Sequence, residues 1–336
     1  MKKNQSRDEK EKVQYDIANL FDSIGMNIID ENGGIISNIL TASNTVFSES
    51  HGLMMEYALL IQDQNLFERY YWVIKGYQHE SGLFPWLIID GVASNSSATL
   101  DDLRIFSSLY QANQLWGGYD EEIMRLENGL YEYCVYDGYL SDFYDFNMGQ
   151  TSSELSLTYI DIVSLQYLCD YNERWVPIKE KSVKILEQGF IGTAMPLYYK
   201  QYIGSEYTQE ELHTAEALYT LYNLAQVDML EAESLEWLKE KVEQEALYAS
   251  YTITGEVPIE NQFETTASYA LATLIFVMED EKEFAGKALE LMKGFQIKNG
   301  PYTYLYGDEI NGDIYSFDQL MALLAMKQYE IYLFEQ

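Results

Sequence analysis

The chain has 336 residues, is 47% hydrophobic and 15% aromatic, and carries a formal net charge of −33. That charge disfavours nucleic acid and anionic membrane surfaces, whose phosphates must be met by Lys and Arg, and it leaves neutral or cationic ligands as partners. No run of about 18 apolar residues occurs, so no transmembrane segment is expected, and the opening "MKKNQSRDEKEK" lacks the apolar stretch of a signal peptide. Cys134 and Cys169 are the only cysteines, without C-x-x-C spacing. The three histidines (His51, His79, His213) show no i,i+4 pairing. No disulfide framework, no metal site and no cofactor are therefore expected.

Hydrophobic period divides the chain into amphipathic helices near 8–31, 49–62, 64–78, 98–116, 119–136 and 153–171. Six more follow near 173–188, 208–227, 230–248, 262–278, 280–296 and 314–334. Asp63 is placed to cap the third helix, Thr99 the fourth, and Thr208 the eighth through the capping-box spacing Thr-x-x-Glu. Gly76, Gly117 and Gly189 mark helix ends. Several connections are extended and aromatic instead: "GGIISNILTASNTVF", "GLFPWLIIDG", "GYLSDFYDFNMG", "AMPLYYKQYIG" and "GPYTYLYGDEINGD". Without a linker or low-complexity break, residues 1–336 read as one domain. Twelve helices at about 28 residues each suit an all-α (α/α)6 barrel of six inner and six outer helices, with short β segments in the connecting loops. A helical-repeat solenoid has a similar count, but connections this long and chemically dissimilar fit a single catalytic face better.

Glu49 stands at the mouth of the second helix, in "FSESHGLMM". A carboxylate there is welcome to the helix dipole at about 0.3–1 kcal/mol, with no chemistry implied. Asp101 and Asp102 open the fourth helix in the same way, just after the extended segment that carries Trp86. Thirty tyrosines are many. Their rings pack cores, and their apolar faces and hydroxyls also suit sugars. Trp86, Tyr139, Tyr199, Tyr207 and Tyr302, all in connecting loops, are candidate cleft aromatics, with core packing as the alternative for each.

Two stretches at this separation resemble glycoside hydrolase family 8. "VFSESHGLMMEYALLIQDQNLFERYY" is similar to that family's Ser-Glu-Gly-x-Gly-Tyr-Gly-Met segment and following Asp-x-x-x-Phe helix. "ASNSSATLDDLRIFSSLYQANQLW" is similar to its Ala-Thr-Asp-Gly-Asp signature, and "DIYSFDQLMALLAM" to its closing helix. The resemblance implies an inverting glycosidase with Glu49 as general acid and Asp102 as the acid that binds sugar hydroxyls beside the cleaved bond. Inversion asks for one protonated carboxyl on the leaving oxygen and one carboxylate activating water across the ring. Leu100 and Asp101 depart from the signature. The usual base position falls on His213 or Thr214, so the family's Asp is absent. Among Glu206, Glu210 and Glu211 in the loop ahead of that helix, Glu206 is the preferred base, with Asp142 and Asp145 as alternatives. Asp101 and Asp142 are assigned to substrate binding.

A divergent acidic member of this kind is similar to the PssZ-type branch that accompanies Gram-positive exopolysaccharide synthesis. The resemblance implies endo-hydrolysis of a β-linked bacterial exopolysaccharide containing amino sugars, by a protein held outside the cell or at its surface after loss of a leader or anchor. The rival is a non-catalytic or weakly active glycan-binding protein of the same fold, which the missing base favours. A helical scaffold without a carboxylate-lined cleft is a third reading. The expected partner is a polysaccharide; the sequence leaves the oligomeric state open.

Overall fold

The computed structural model describes residues 2–334, with side chains from residue 10 onward. Among them are twelve α-helices: α1 (Lys2–Asn27), α2 (Ser48–Leu60), α3 (Gln64–Lys75), α4 (Thr99–Leu115), α5 (Asp120–Gly129) and α6 (Ile162–Tyr171). The chain continues with α7 (Val176–Gln188), α8 (Thr214–Ala225), α9 (Ala232–Glu243), α10 (Thr266–Met278), α11 (Lys282–Lys293) and α12 (Ser316–Phe334). The even-numbered helices pack in sequence, α2 on α4, α4 on α6, α6 on α8, α8 on α10, α10 on α12 and α12 back on α2, closing a ring. Odd-numbered helices lie against them: α1 on α12, α3 on α2, α5 on α4, α7 on α6 and α11 on α10.

Composition explains which helices are enclosed. In α10 every residue from Thr266 to Val277 is buried, as an apolar helix must be when it has neighbours on all sides. In α3 the buried residues are Leu66, Phe67, Tyr70, Tyr71 and Ile74, one stripe on an otherwise polar helix that has water on its far side.

The connections are just as segregated. Passing from an even helix to the next odd one takes three to six residues. Three of these tight turns put a non-glycine residue in the left-handed region, Gln62 (φ 55), Asp228 (φ 56) and Asp280 (φ 57). The odd-to-even connections are long and all fall on the face where the ring helices begin. They hold β1 (Ile36–Asn38), β2 (Ala42–Phe47), β3 (Leu87–Ile89), β4 (Val92–Ala93), β5 (Val135–Tyr136), β6 (Tyr139–Leu140) and β7 (Tyr144–Asp145). The rest are β8 (Gln150–Thr151), β9 (Glu154–Ser156), β10 (Gln201–Ile203), β11 (Glu206–Tyr207), β12 (Leu212–His213) and β13 (Ser250–Tyr251). The largest sheet runs β1-β2-β3-β4, all antiparallel. Among the described residues no helix is long and apolar enough to cross a membrane.

Several helix starts differ from the sequence reading: α1 begins at Lys2 rather than near 8 and α10 at Thr266 rather than near 262, and strand pairing displaces two others. The helix expected from 153 begins only at Ile162, because Glu154–Ser156 pairs with β10 and Asp161 then caps α6 by accepting the Ser164 N–H at 2.9 Å. The helix expected from 208 begins at Thr214. Leu212 and His213 pair with Tyr251 and Ser250, and Thr208 makes no capping bond. At α4 the cap position is Ala98, and Thr99 is the first helical residue with its hydroxyl unpartnered. The first helix ends at Asn27 rather than near 31, and α5 gives way to a π-helical turn over Leu130–Cys134 before β5.

Asp63 caps α3 as expected, accepting the Leu66 N–H at 3.0 Å. Replacing it with Ala should lower stability by about 1 kcal/mol. Urea denaturation of Asp63→Ala against wild type, read at unchanged slope, measures this.

Candidate active site

Glu49 is placed by a sheet edge. Strand β2 pairs with β3 through Phe47 opposite Leu87, and the next residue, Ser48, opens α2. The Ser48 N–H donates to the Trp86 carbonyl at 3.2 Å and its hydroxyl donates to the Pro85 carbonyl at 2.6 Å, while the Ser50 and Ser316 hydroxyls meet at 2.9 Å. The first turn of α2 is thus fixed to the 84–87 segment on one side and to α12 on the other. Glu49 lies at the inner end of this mouth and remains partly accessible. Burial raises its pKa, and the guanidinium of Arg104 pulls it back down.

Arg104, on the second turn of α4, is only 1% exposed. Its Nε lies 3.4 Å from Glu56 Oε1, its Nη1 3.5 Å from Asp101 Oδ1, and its Nη2 donates to the Tyr219 hydroxyl at 2.8 Å. Asp101 receives the Glu49 backbone N–H. Burial raises its pKa, the neighbouring Glu49 raises it further, and Arg104 opposes both. Two carboxylates this close share a proton readily, because ionising both sets like charges together in a poorly solvated place. Glu56 belongs to the same group from below. Burial pushes it up to about 7, with Arg104 opposing and Asp161 adding.

The sequence reading put Asp102 on the sugar; the structure puts it in the core. Asp102 is 0% exposed, its Oδ1 accepts the Phe84 N–H at 2.9 Å, and its Oδ2 has no partner. Burial raises its pKa well above the usual range, with the Phe84 N–H bond opposing. Its position clamps the segment that supports Ser48 and presents Trp86. Its neighbour Asp101, one residue earlier, is the acid that flanks Glu49.

Asp142 is nearly buried, with Oδ1 on the Ser156 N–H (2.6 Å) and Oδ2 on the Ser156 hydroxyl (2.8 Å). Asp145 is spent locally, accepting the Asn147 and Met148 N–H groups at 2.9 and 2.8 Å. Tyr159 is half-buried among Asp101, Asp142 and Glu49, which together with burial raise its phenol pKa. Glu206 is exposed on β11, at the tip of the β10–β11 hairpin. Glu210 pairs with Lys200 at 3.8 Å. Glu211 is more firmly held, since the Ser250 hydroxyl and the Asn261 amide both donate to its Oε1 just ahead of α8.

The candidate aromatics divide. Trp86 is 39% exposed and stacks on Phe47 at 5.6 Å and 13°, an open platform beside the Glu49 mouth. Tyr199 lines a small recess with Lys200, His213 and Glu216. Tyr139 is 3% exposed, gives its hydroxyl to the Ser153 carbonyl and packs on Tyr202, so it is a core ring. Tyr207 donates to the Ile185 carbonyl of α7 at 2.6 Å, a packing role facing the outer layer. Tyr302 sits in a turn held to α1 by the Ser23 hydroxyl on the Thr303 carbonyl at 2.9 Å.

Arg104, Glu56, Tyr159 and Asp318 escaped the sequence reading. Asp318 sits at the start of α12, accepts the Ala267 N–H at 2.9 Å, and is pushed up by burial to about 6. A signal for the first two existed in the spacing: Glu49, Gly52 and Glu56 mark one face of a mostly apolar helix. Glu56 and Tyr219 also line a cavity of about 250 Å³ at the far end of the ring, with Asp161, Tyr167, Tyr222 and Asn223. Among the described residues no cluster could hold a metal ion.

Set beside known proteins, the sequence matches no family model. It is 28% identical over 307 residues to "Putative lipoprotein YdaJ" of Bacillus subtilis (strain 168), covering 88% of this chain and 82% of that one. A solved structure described as a novel alpha-amylase from Clostridium perfringens is 30% identical, with a TM-score of 0.86 over 92% of this chain and 96% of that chain. PssZ from Listeria monocytogenes shares the fold at 20% identity and a TM-score of 0.72, covering 90% and 93%. A cold-adapted family 8 xylanase in complex with substrate does so at 14% and 0.68, covering 96% and 91%.

The buried acids make stability depend on pH with a definite sign. Asp318 and Glu56 titrate near 6 and 7 when folded, against about 4 in an unfolded chain. The folded state therefore holds more protons in that window, and the stabilisation present below pH 4 is lost as pH rises through 6 to 7. Scanning calorimetry should show a melting temperature that falls from pH 5 to pH 8, and Asp318→Asn should flatten the part of that slope near pH 6.

Proposed function

We propose that the chain is a divergent member of glycoside hydrolase family 8 and an inverting endo-glycosidase with Glu49 as general acid. The closed ring of even helices, with the odd helices around it, is then an (α/α)6 barrel whose substrate cleft crosses the mouth bearing Glu49. One observation carries the reading. A carboxyl group whose pKa is raised by burial stands at the mouth of the ring, beside a second carboxyl, Asp101, and an open aromatic platform, Trp86. A general acid needs a raised pKa, and a pyranose needs a flat apolar face to lie on. Asp101, in place of Asp102, takes the role of binding sugar hydroxyls. For the base, the support given to Glu211 by Ser250 and Asn261 favours it over the exposed Glu206.

The substrate is a neutral or cationic polysaccharide, since a protein of net charge −33 repels an acidic one. A β-linked, amino-sugar-containing exopolysaccharide met at the cell surface fits the likeness to PssZ and to a lipoprotein. A second reading, an α-linked glucan, is favoured by the 30% identity to an α-amylase. Release of reducing ends from soluble starch, from β-1,4-glucan and from purified amino-sugar exopolysaccharide decides between them. Proton NMR of the first product gives the anomer and hence the stereochemistry.

Glu49→Gln should lower kcat by about 10²–10⁴ with the fold intact. Equal release by wild type and variant would remove Glu49 from the mechanism, and binding without any release by wild type would leave the glycan-binding reading. Trp86→Ala should weaken binding of the same glycan by about tenfold, the worth of one stacked ring, as isothermal titration would show.

A further inference from the structure

Arg104 is the pivot of an arrangement that runs from the mouth of the ring into its interior. Glu49 and Glu56 stand seven residues apart on α2, two turns or about 10 Å along the axis. Gly52 lies between them, and a Cβ there would come within 2.9 Å of Arg104 Cδ and 3.1 Å of Cγ. The missing side chain is what lets the arginine stem cross α2 and lay its guanidinium against Glu56 within electrostatic reach of Glu49. On the other faces, Tyr219 of α8 holds Nη2 and lies under the guanidinium at 5.4 Å from its ring centre, and Asp101 sits on Nη1. The remaining titratable groups turned toward this cluster are Asp161 ahead of α6, Tyr159, Asp142 and Tyr222.

We propose that Glu56 and Arg104 are positioning residues for the proton shared by Glu49 and Asp101, Glu56 acting by neutralising part of the Arg104 charge. One guanidinium faces three carboxylates. Above about pH 7, where Glu56 is ionised, it takes part of the Arg104 charge; the guanidinium then opposes protonation at the mouth less, and Glu49 keeps more firmly the proton that a general acid must donate. Glu56 never touches substrate. Its side chain is 33% exposed, and it lines the cavity of about 250 Å³ at the opposite end of the ring. This rests on the reading of Glu49 as the acid.

The test is Glu56→Gln, which keeps shape and removes charge. With Arg104 no longer balanced, Glu49 should lose its proton at lower pH, moving the alkaline limb of the kcat/KM profile down by about one pH unit, the size of one charge acting over 10 Å in a protein interior. Glu56→Asp, which keeps the charge, should return the limb toward its wild-type position. Carbon-13 NMR titration of the Glu49 carboxyl in all three proteins follows the same shift without turnover. A limb and a Glu49 titration that stay in place in Glu56→Gln overturn the proposal, even if the melting temperature drops, because a purely structural role changes stability and leaves the titration alone. Should the wild type hydrolyse no glycan, the glycosidase reading fails by itself, and the carboxyl titration still decides for or against the role of Glu56.

Discussion

One buried guanidinium sets the chemistry of this ring. A cation fully out of water is costly, and it is tolerated only when opposite charge and hydrogen bonds surround it. Arg104 has Glu56, Asp101, Glu49 and Tyr219 about it, contributed by α2, α4 and α8. Removing a single partner from such a group costs about 3–5 kcal/mol, since it leaves a charge buried and uncompensated. The three helices are therefore held in register by the same contact that adjusts the acids at the mouth. Gly52 and Arg104 form one feature, a gap in one helix that the side chain of another fills.

A second chain of contacts delivers Glu49 to the mouth. Asp102 holds Phe84, the 84–87 segment holds Ser48, and Ser50 ties the same turn to α12. The buried Asp102 carboxyl satisfies a backbone N–H that would otherwise lose its bond to water on burial. The acid that resembles the family's sugar-binding residue thus serves as a brace, and its neighbour Asp101 lies beside Glu49 and Arg104. In a first helical turn, successive residues point about 100° apart. A shift of one position is enough to exchange core for cleft.

Much of the fold was legible in the sequence. Twelve helices, their order, most of the ends and the extended character of the long connections follow from period, from Gly at helix ends and from Asp63 as a cap. The starts of α6 and α8 were not legible, since the residues before them pair with strands some forty residues further along the chain, Ser156 with Gln201 and Leu212 with Tyr251. Local spacing carries no record of such a pairing. Glu49 at the head of α2 and Trp86 in the segment before β3 stood out in the sequence because they lie in or beside recognisable motifs. Tyr139 and Tyr207 lie in similar loops and proved to be packing rings, since a tyrosine's hydroxyl finds a backbone carbonyl as readily as a sugar.

By itself the sequence determined the helical architecture, the acidic character of the protein and the identity of the residue at the mouth of α2. These are properties of local pattern and composition, which no folding event can alter. Tertiary structure alone decided which of two adjacent aspartates lies beside Glu49 and which braces Phe84, which glutamate ahead of α8 is held in place, and that Glu56 reaches Arg104 from within the ring. Each of those depends on how far a helix is rotated and on which distant strand pairs with the residues before it. Only the closing of the ring, α12 against α2, brings those constraints to bear at once.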